Sequence, residues 1–291
     1  MHIKIGSRES KLAVVQSKMV IENLIACRTD ISTELITMKT TGDIILDRTL
    51  DKVGGKGLFV KELDSALINK VVDITVHSFK DMPMEENDLL PIVAVSKRED
   101  PRDVLILPQG VAELDLSKPL GCSSLRRKLQ LEKIYPNIII EPIRGNVQTR
   151  LSKLDNGEYS GIVLAYAGIK RLGLENRVSK IFEIDEILPA CCQGILAVQA
   201  RNDFDKQILN SLHDEDTYLI SKAERAYVRT LDGGCSSPVA SYATIKADEI
   251  VLTGFYVDEN NNTYKKTVVG NKYDGEIIGQ KLAINMKSGV L

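Results

Sequence analysis

Residues 121–150, GCSSLRRKLQLEKIYPNIIIEPIRGNVQTR, hold two places where a strand end runs into a helix start, and that recurrence constrains the fold most. At Gly121-Cys122-Ser123-Ser124 a strand ends and a cap follows, because a serine hydroxyl accepts from the orphan N–H groups of a first helical turn. Arg126 and Arg127 fall in that turn. Ile138, Ile139 and Ile140 form a short apolar run with strand composition. Arg144-Gly145-Asn146 is a turn, and Val147, Leu151 and Leu154 give the next helix an apolar face. Against Glu132 and Glu141 stand Arg126, Arg127, Lys128, Lys133, Arg144 and Arg150. The chain as a whole carries a net charge of −2, so this positive charge is local. Helix N-termini with guanidinium forks suit a ligand bearing several carboxylates or phosphates. The other reading of the stretch is arginines on a solvated surface.

The flanking chain has the same alternation. Residues 2–5 are a strand, Ser10 is placed to cap a helix over 12–25, and residues 31–38 are a second strand. A glycine-containing loop over 42–57 ends in Gly54-Gly55-Lys56-Gly57; it lacks the Gly-Lys-Ser/Thr of a nucleotide-binding P-loop. A helix over 59–68 and a strand over 71–76 lead into His77-Ser78-Phe79-Lys80-Asp81-Met82-Pro83. In open α/β sheets ligands gather beyond the carboxyl ends of strands, which places Asp81 where chemistry could occur. Residues 92–96 are a strand, and the charge-dense stretch 97–102 is a domain boundary. A second α/β unit begins at Val104 and continues through a strand over 161–165, after which Arg171 is a further anion contact. The strand over 195–199 is simplest to return to the first domain. A helix over 215–231, three short strands and a helix over 275–287 form a third, small unit.

With 291 residues the chain is long enough for two or three domains. Slight net acidity disfavours nonspecific nucleic-acid binding, and the absence of tryptophan argues against a base-stacking surface. No apolar run approaches 18 residues, so the expectation is a cytoplasmic protein without a membrane span. Five scattered cysteines are no disulfide framework, and three histidines suggest no metal cluster.

Two residues stand out chemically. Cys235 follows two glycines and precedes Ser236-Ser237-Pro238, a loop position from which a thiolate could attack an electrophilic carbon and form a thioether. A small buried residue in a tight turn is the alternative. Asp81 could stabilise a developing cation or shuttle a proton, or else cap a turn or pair with a nearby cation. Lys56 and Lys61 are open between ligand contact and ordinary solvated lysine.

Motifs along essentially the whole chain resemble the porphobilinogen deaminase family. They are Ile5-Gly6-Ser7-Arg8-Glu9-Ser10, VGGKGLFVKEL over 53–63, residues 77–83, Ser123-Ser124-Leu125-Arg126-Arg127, Arg144-Gly145-Asn146-Val147-Gln148-Thr149-Arg150, Ala167-Gly168-Ile169-Lys170-Arg171-Leu172 and Leu231-Asp232-Gly233-Gly234-Cys235. The resemblance implies an α/β fold of two periplasmic-binding-protein-like lobes plus a small α+β C-terminal domain. It sets domain 1 at 1–98 and 195–214, domain 2 at 99–194 and domain 3 at 215–291. It implies a transferase that condenses four porphobilinogen molecules head to tail on a dipyrromethane cofactor held through Cys235. It carries over Asp81, Lys80 and Arg8 as catalytic, and Ser78, Lys80, Ser123, Ser124, Arg126, Arg127, Arg144 and Arg150 as cofactor-binding. Arg8, Ser10, Arg144, Arg150, Arg171 and Lys56 contact substrate in the same carry-over. The resemblance implies porphobilinogen and the growing linear polypyrrole as partners, and the expectation is a monomer that binds no nucleic acid or membrane.

The chain departs from the family pattern at Cys192, where glycine is usual, and at Gln199, Ala240, Phe79 and Lys4. A cysteine at 192 would restrict backbone angles that glycine permits. The main rival is a non-catalytic two-lobed polycarboxylate-binding protein, which leaves the cysteine turn and third domain without a use. A cysteine-dependent transferase or hydrolase is weakened by the lack of a positioned histidine partner.

Overall fold

The computed structural model describes residues 1–44, 57, 59–85, 87–233 and 237–289. Lys56 and Cys235 therefore lie outside the described residues. The chain divides into two units, one formed by 1–99 with 195–219 and the other by 100–194 with 220–291.

The first unit is built on a five-stranded mixed sheet. Strand β1 (His2–Arg8) alternates exposed and buried side chains until its buried carboxyl end. Helix α1 (Lys11–Cys27) follows at once, because the Ser10 hydroxyl accepts from the Ala13 N–H at 3.4 Å. Its buried residues, Ala13, Gln16, Ser17, Val20 and Leu24, recur at helical spacing and form one face. Strand β2 (Ser32–Met38), a helical turn α2 (Thr41–Ile44) and helix α3 (Lys61–Ile68) lead to β3 (Ile74–Ser78), then β4 (Ile92–Val95). Strand β10 (Leu196–Ala200) follows the second unit in the chain and pairs antiparallel with both β3 and β4. The order is β2-β1-β3-β10-β4, with β1 parallel to its two neighbours. Ile3, Ile5, Val20, Leu24, Ile74, Val76, Leu196 and Val198 make the core beneath α1. Each such side chain contributes about 1.5–3 kcal/mol by leaving water.

The second unit contains a sheet of the same topology. Strands β5 (Asp103–Ile106), β6 (Leu120–Gly121), β7 (Ile140–Glu141), β8 (Gly161–Ala165) and β9 (Lys180–Ile181) take the order β7-β6-β8-β5-β9. Here β6 is parallel to β7 and β8, and β5 is the antiparallel member. In both sheets the antiparallel strand in fourth place is the one supplied as the chain crosses between units. Helices α4 (Leu125–Ile134), α5 (Val147–Asp155) and α6 (Tyr166–Arg171) follow β6, β7 and β8 respectively.

The same unit ends in α7 (Glu215–Thr230), whose first turns belong to the first unit, an antiparallel meander and a last helix. The meander is β11 (Ala240–Lys246), β12 (Glu249–Val257) and β13 (Thr263–Asn271), and α8 (Gly275–Lys287) closes the chain. Helices α7 and α8 meet at Gly279, where an added Cβ would stand 2.3 Å from the Ala223 carbonyl. Only glycine allows that approach. The fold class is mixed α/β with a small α+β C-terminal part, as expected from the sequence. Two expected spans shift and one helix is additional. The strand expected over 71–76 is Ile74–Ser78, because Lys70 takes a left-handed turn (φ 57) that delays the strand. The isoleucine run pairs only at Ile140–Glu141, and Ile139 is exposed. Residues Tyr166–Arg171 form a helix where no element was expected.

Candidate functional site

In the second unit the two strand-to-helix turns of residues 121–150 are joined by one side chain. The Ser123 hydroxyl donates to the Ile143 carbonyl at 2.6 Å and accepts from the Ile143 N–H at 2.9 Å. Ser124 caps α4 by accepting from the Arg127 N–H at 3.4 Å. Asn146 caps α5 by accepting from the Thr149 N–H at 2.9 Å. Gly145 makes the second turn possible: its φ is 113°, and a Cβ there would meet the Thr149 methyl at 2.7 Å. The turns thus set the N-termini of α4 and α5 beside Arg126, Arg127, Arg144 and Arg150. The Arg150 Nε donates to the Gly145 carbonyl at 2.8 Å, and Arg144 and Arg150 are half-buried.

Arg126 and Arg127 are not the solvated arginines that composition allows. Both are buried, and both point to Asp103 at the start of β5. Arg126 Nη1 donates to Asp103 Oδ2 at 2.9 Å and to the Leu188 carbonyl at 2.7 Å. Arg127 Nη2 donates to Asp103 Oδ1 at 2.7 Å, and Nη1 to the Val163 carbonyl at 3.2 Å. Gln193 Nε2 adds a bond to the same Oδ1 at 2.8 Å. Burial pushes the Asp103 carboxyl up, but the two guanidiniums and Gln193 pull it far below the usual carboxylate range. Burial lowers Arg126, with Asp103 acting the other way. One carboxylate faces two guanidiniums, so the buried group keeps one net positive charge. That surplus, with Arg144 and Arg150 at helix N-termini, is chemistry suited to a ligand with several carboxylates. Arg171, at the end of α6, donates from Nη2 to the Gly194 carbonyl at 2.6 Å.

The first unit holds the other set. Arg8 ends β1, and its guanidinium forks onto Asp43, with Nε donating to Oδ2 at 3.1 Å and Nη2 to Oδ1. The Phe59 ring lies under it, 4.3 Å from its centroid. Burial raises the Asp43 carboxyl, but bonds from Arg8 and Thr40 outweigh it and hold the group low. Ser10, expected at a ligand, is the cap of α1. Strand β3 ends at Ser78 and passes directly into a 3-10 turn over Phe79–Asp81. Phe79 is buried and anchors the turn, and Ser78, Lys80 and Asp81 are half-buried around it. Behind them His77 is buried, its Nε2 2.8 Å from Thr75 Oγ1, and burial followed by the Arg8 charge lowers its pKa to about 4. His77 is therefore neutral near pH 7. Asp64 on α3 is raised to about 6 by burial, with Gln199 working against the rise.

Asp103 and Asp43 were not singled out in the sequence. The only trace of Asp103 there is a carboxylate opening the apolar strand DVLI. Asp43 leaves no trace, because its role depends on β1 and α2 meeting in space.

The family model described as "Porphobilinogen deaminase, dipyromethane cofactor binding domain" matches residues 3–210. The one described as "Porphobilinogen deaminase, C-terminal domain" matches residues 218–288. A protein named porphobilinogen deaminase from Acetivibrio thermocellus is 63% identical over 289 residues, covering 99% of both chains. Another of that name from Alkaliphilus oremlandii is 63% identical over 287 residues, 99% of this chain and 97% of the relative. Among solved structures, the methionine binding protein MetQ matches with a TM-score of 0.47 at 12% identity, over 75% of this chain and 92% of that one.

Proposed function

The chain belongs to the porphobilinogen deaminase family, and we propose that Asp81 and the arginines of its two units carry that family's reaction. The chain is a transferase that condenses four porphobilinogen molecules head to tail, releases ammonia at each addition and frees the linear tetrapyrrole hydroxymethylbilane by hydrolysis. The observation that carries the reading is the cofactor-domain match over 3–210 followed by the C-terminal-domain match over 218–288. The residues fit the dipyrromethane cofactor by donor chemistry: its acetate and propionate carboxylates suit a buried arginine pair with one net positive charge. Bound through a thioether to Cys235, the cofactor supplies the pyrrole carbon onto which units are added.

The remaining steps belong to the protein's own side chains. Loss of ammonia from porphobilinogen leaves a cationic methylene-pyrrolenine, which the Asp81 carboxylate stabilises. The same carboxylate exchanges protons with the pyrrole nitrogen and the leaving amine. Lys80 and Arg8 act beside it in catalysis. Ser78, Lys80, Ser123, Ser124, Arg126, Arg127, Arg144 and Arg150 hold the cofactor. Arg8, Ser10, Arg144, Arg150, Arg171 and Lys56 hold the carboxylates of substrate and growing chain. Since Ser10, Ser123 and Ser124 use their hydroxyls on the backbone, their part is to shape the turns that present N–H groups.

The proposed domains are 1–98 with 195–214, 99–194, and 215–291. The proposed protein is a cytoplasmic monomer that needs neither nucleic acid nor membrane. Among the described residues no helix is long and apolar enough to cross a membrane. Non-catalytic binding of a polycarboxylate is not favoured, because it gives the cofactor domain no task. Incubation of the purified protein with porphobilinogen tests the function: a linear tetrapyrrole and ammonia are expected. Porphobilinogen bound but unconsumed would overturn it.

A further inference from the structure

Cys191 and Cys192 lie at the end of the second unit's first segment, and both are buried. Their Sγ atoms are 3.6 Å apart. Glu224 on α7 is fully buried beside them, and the three ligand atoms all lie within 4.8 Å of one another. The Glu224 carboxylate is held in place from two sides. Oε2 accepts from the Cys192 N–H and Oε1 from the Ala243 N–H of β11, each at 2.7 Å. The Ser221 carbonyl, 3.9 Å from the Cys192 Sγ, stands at the same cluster.

The backbone at the cluster is constrained. Cys192 has φ 57, in the left-handed region that a residue with a Cβ rarely occupies. Such a conformation costs about 1 kcal/mol or more and persists where the surroundings enforce it. The sulfur spacing suits a metal: two thiolates on one tetrahedral zinc, each at about 2.3 Å, stand about 3.8 Å apart. Sulfur ligands select a borderline or soft ion over magnesium or calcium.

We propose that Cys191, Cys192 and Glu224 form a site for one thiophilic divalent cation of the zinc class, which pins the residue 191–192 segment onto α7. Binding forms two metal–sulfur bonds and releases two thiol protons to solvent, with no change of oxidation state. Its purpose is structural.

The test is cobalt(II) titration of the metal-depleted full-length protein, with its cofactor, under reducing conditions, and zinc competition. The expected result is one cobalt per chain, a near-ultraviolet thiolate-to-cobalt band, its loss on adding zinc, and a rise in melting temperature with either metal. Cys191→Ser and Cys192→Gly should each weaken cobalt binding at least about tenfold, since even outer-shell changes cost that much. Glycine suits the φ at 192, so Cys192→Gly guards against misfolding as the cause, and melting without metal checks that both variants fold. A cobalt spectrum unchanged in both variants, or none in the parent protein, would overturn the site. So would a Cys191–Cys192 disulfide that forms in the presence of zinc.

Discussion

Asp103→Asn tests whether one buried carboxylate holds the arginine pair. Asp103 has no exposed surface and takes three bonds, from Arg126 at 2.9 Å, Arg127 at 2.7 Å and Gln193 at 2.8 Å. Asparagine keeps the shape and one acceptor oxygen but removes the charge, leaving two buried guanidiniums that repel each other. Breaking a buried ion pair from one side costs about 3–5 kcal/mol. For a unit of this size that lowers the melting temperature by roughly 10 °C. Scanning calorimetry should show the drop, and hydrogen exchange should locate it in β5, β8 and α4. The effect depends on pH. Because the folded state holds Asp103 far below the usual carboxylate range, its stabilisation is complete above about pH 4 and is lost as pH falls through the folded value. Parent and variant should therefore differ near neutrality and converge in acid. A loss under about 1 kcal/mol at pH 7, or a difference that does not shrink in acid, would refute the idea that this charge holds Arg126 and Arg127.

Three further outcomes follow from the burial of other groups. Asp64 titrates near 6 in the folded chain, so its ionisation costs stability as pH rises from about 4 to 6. Allowing for its partial exposure, Asp64→Asn should gain about 1 kcal/mol at pH 8 and nothing at pH 4 in urea unfolding. His77 shows the opposite slope: with its pKa lowered to about 4, the parent loses stability as pH falls from about 6.5 to 4. His77→Gln should flatten that acid loss, by about 2–3 kcal/mol, and an unchanged pH profile would count against neutral, buried His77. Gly279→Ala should destabilise the C-terminal part by about 1–3 kcal/mol, because its Cβ meets the Ala223 backbone and not a side chain that can move. Thermal melting near the parent value would show that α7 and α8 part easily.

Local chemistry was legible in the sequence where it acts locally. A cap was readable at Ser10, and at Ser123 or Ser124, because a cap needs only its own helix start; Ser10 and Ser124 act so. The shifted strand at Ile74–Ser78 was not legible, because the left-handed Lys70 turn holds apolar Val71 on the surface. The arginine pair was legible as charge but not as position. Residues 126, 127, 130 and 131 form the buried face of α4, and that face is mostly polar, so hydrophobic periodicity could not reveal it. Its partner lies more than twenty residues away, on a strand that joins β8 only in the folded sheet. The same holds for Arg8 and Asp43, 35 positions apart. The glycine-like backbone at Cys192 was foreseeable from its departure from the family pattern, and φ 57 is what the structure has there.

The most direct measurement of the catalytic assignment is intact-protein mass spectrometry after a limiting dose of porphobilinogen. The parent protein should show a ladder of masses rising by one pyrrole unit per step. Asp81→Ala, equally well folded by circular dichroism, should show little or none of that ladder. An equally full ladder from Asp81→Ala would contradict the role given to that carboxylate.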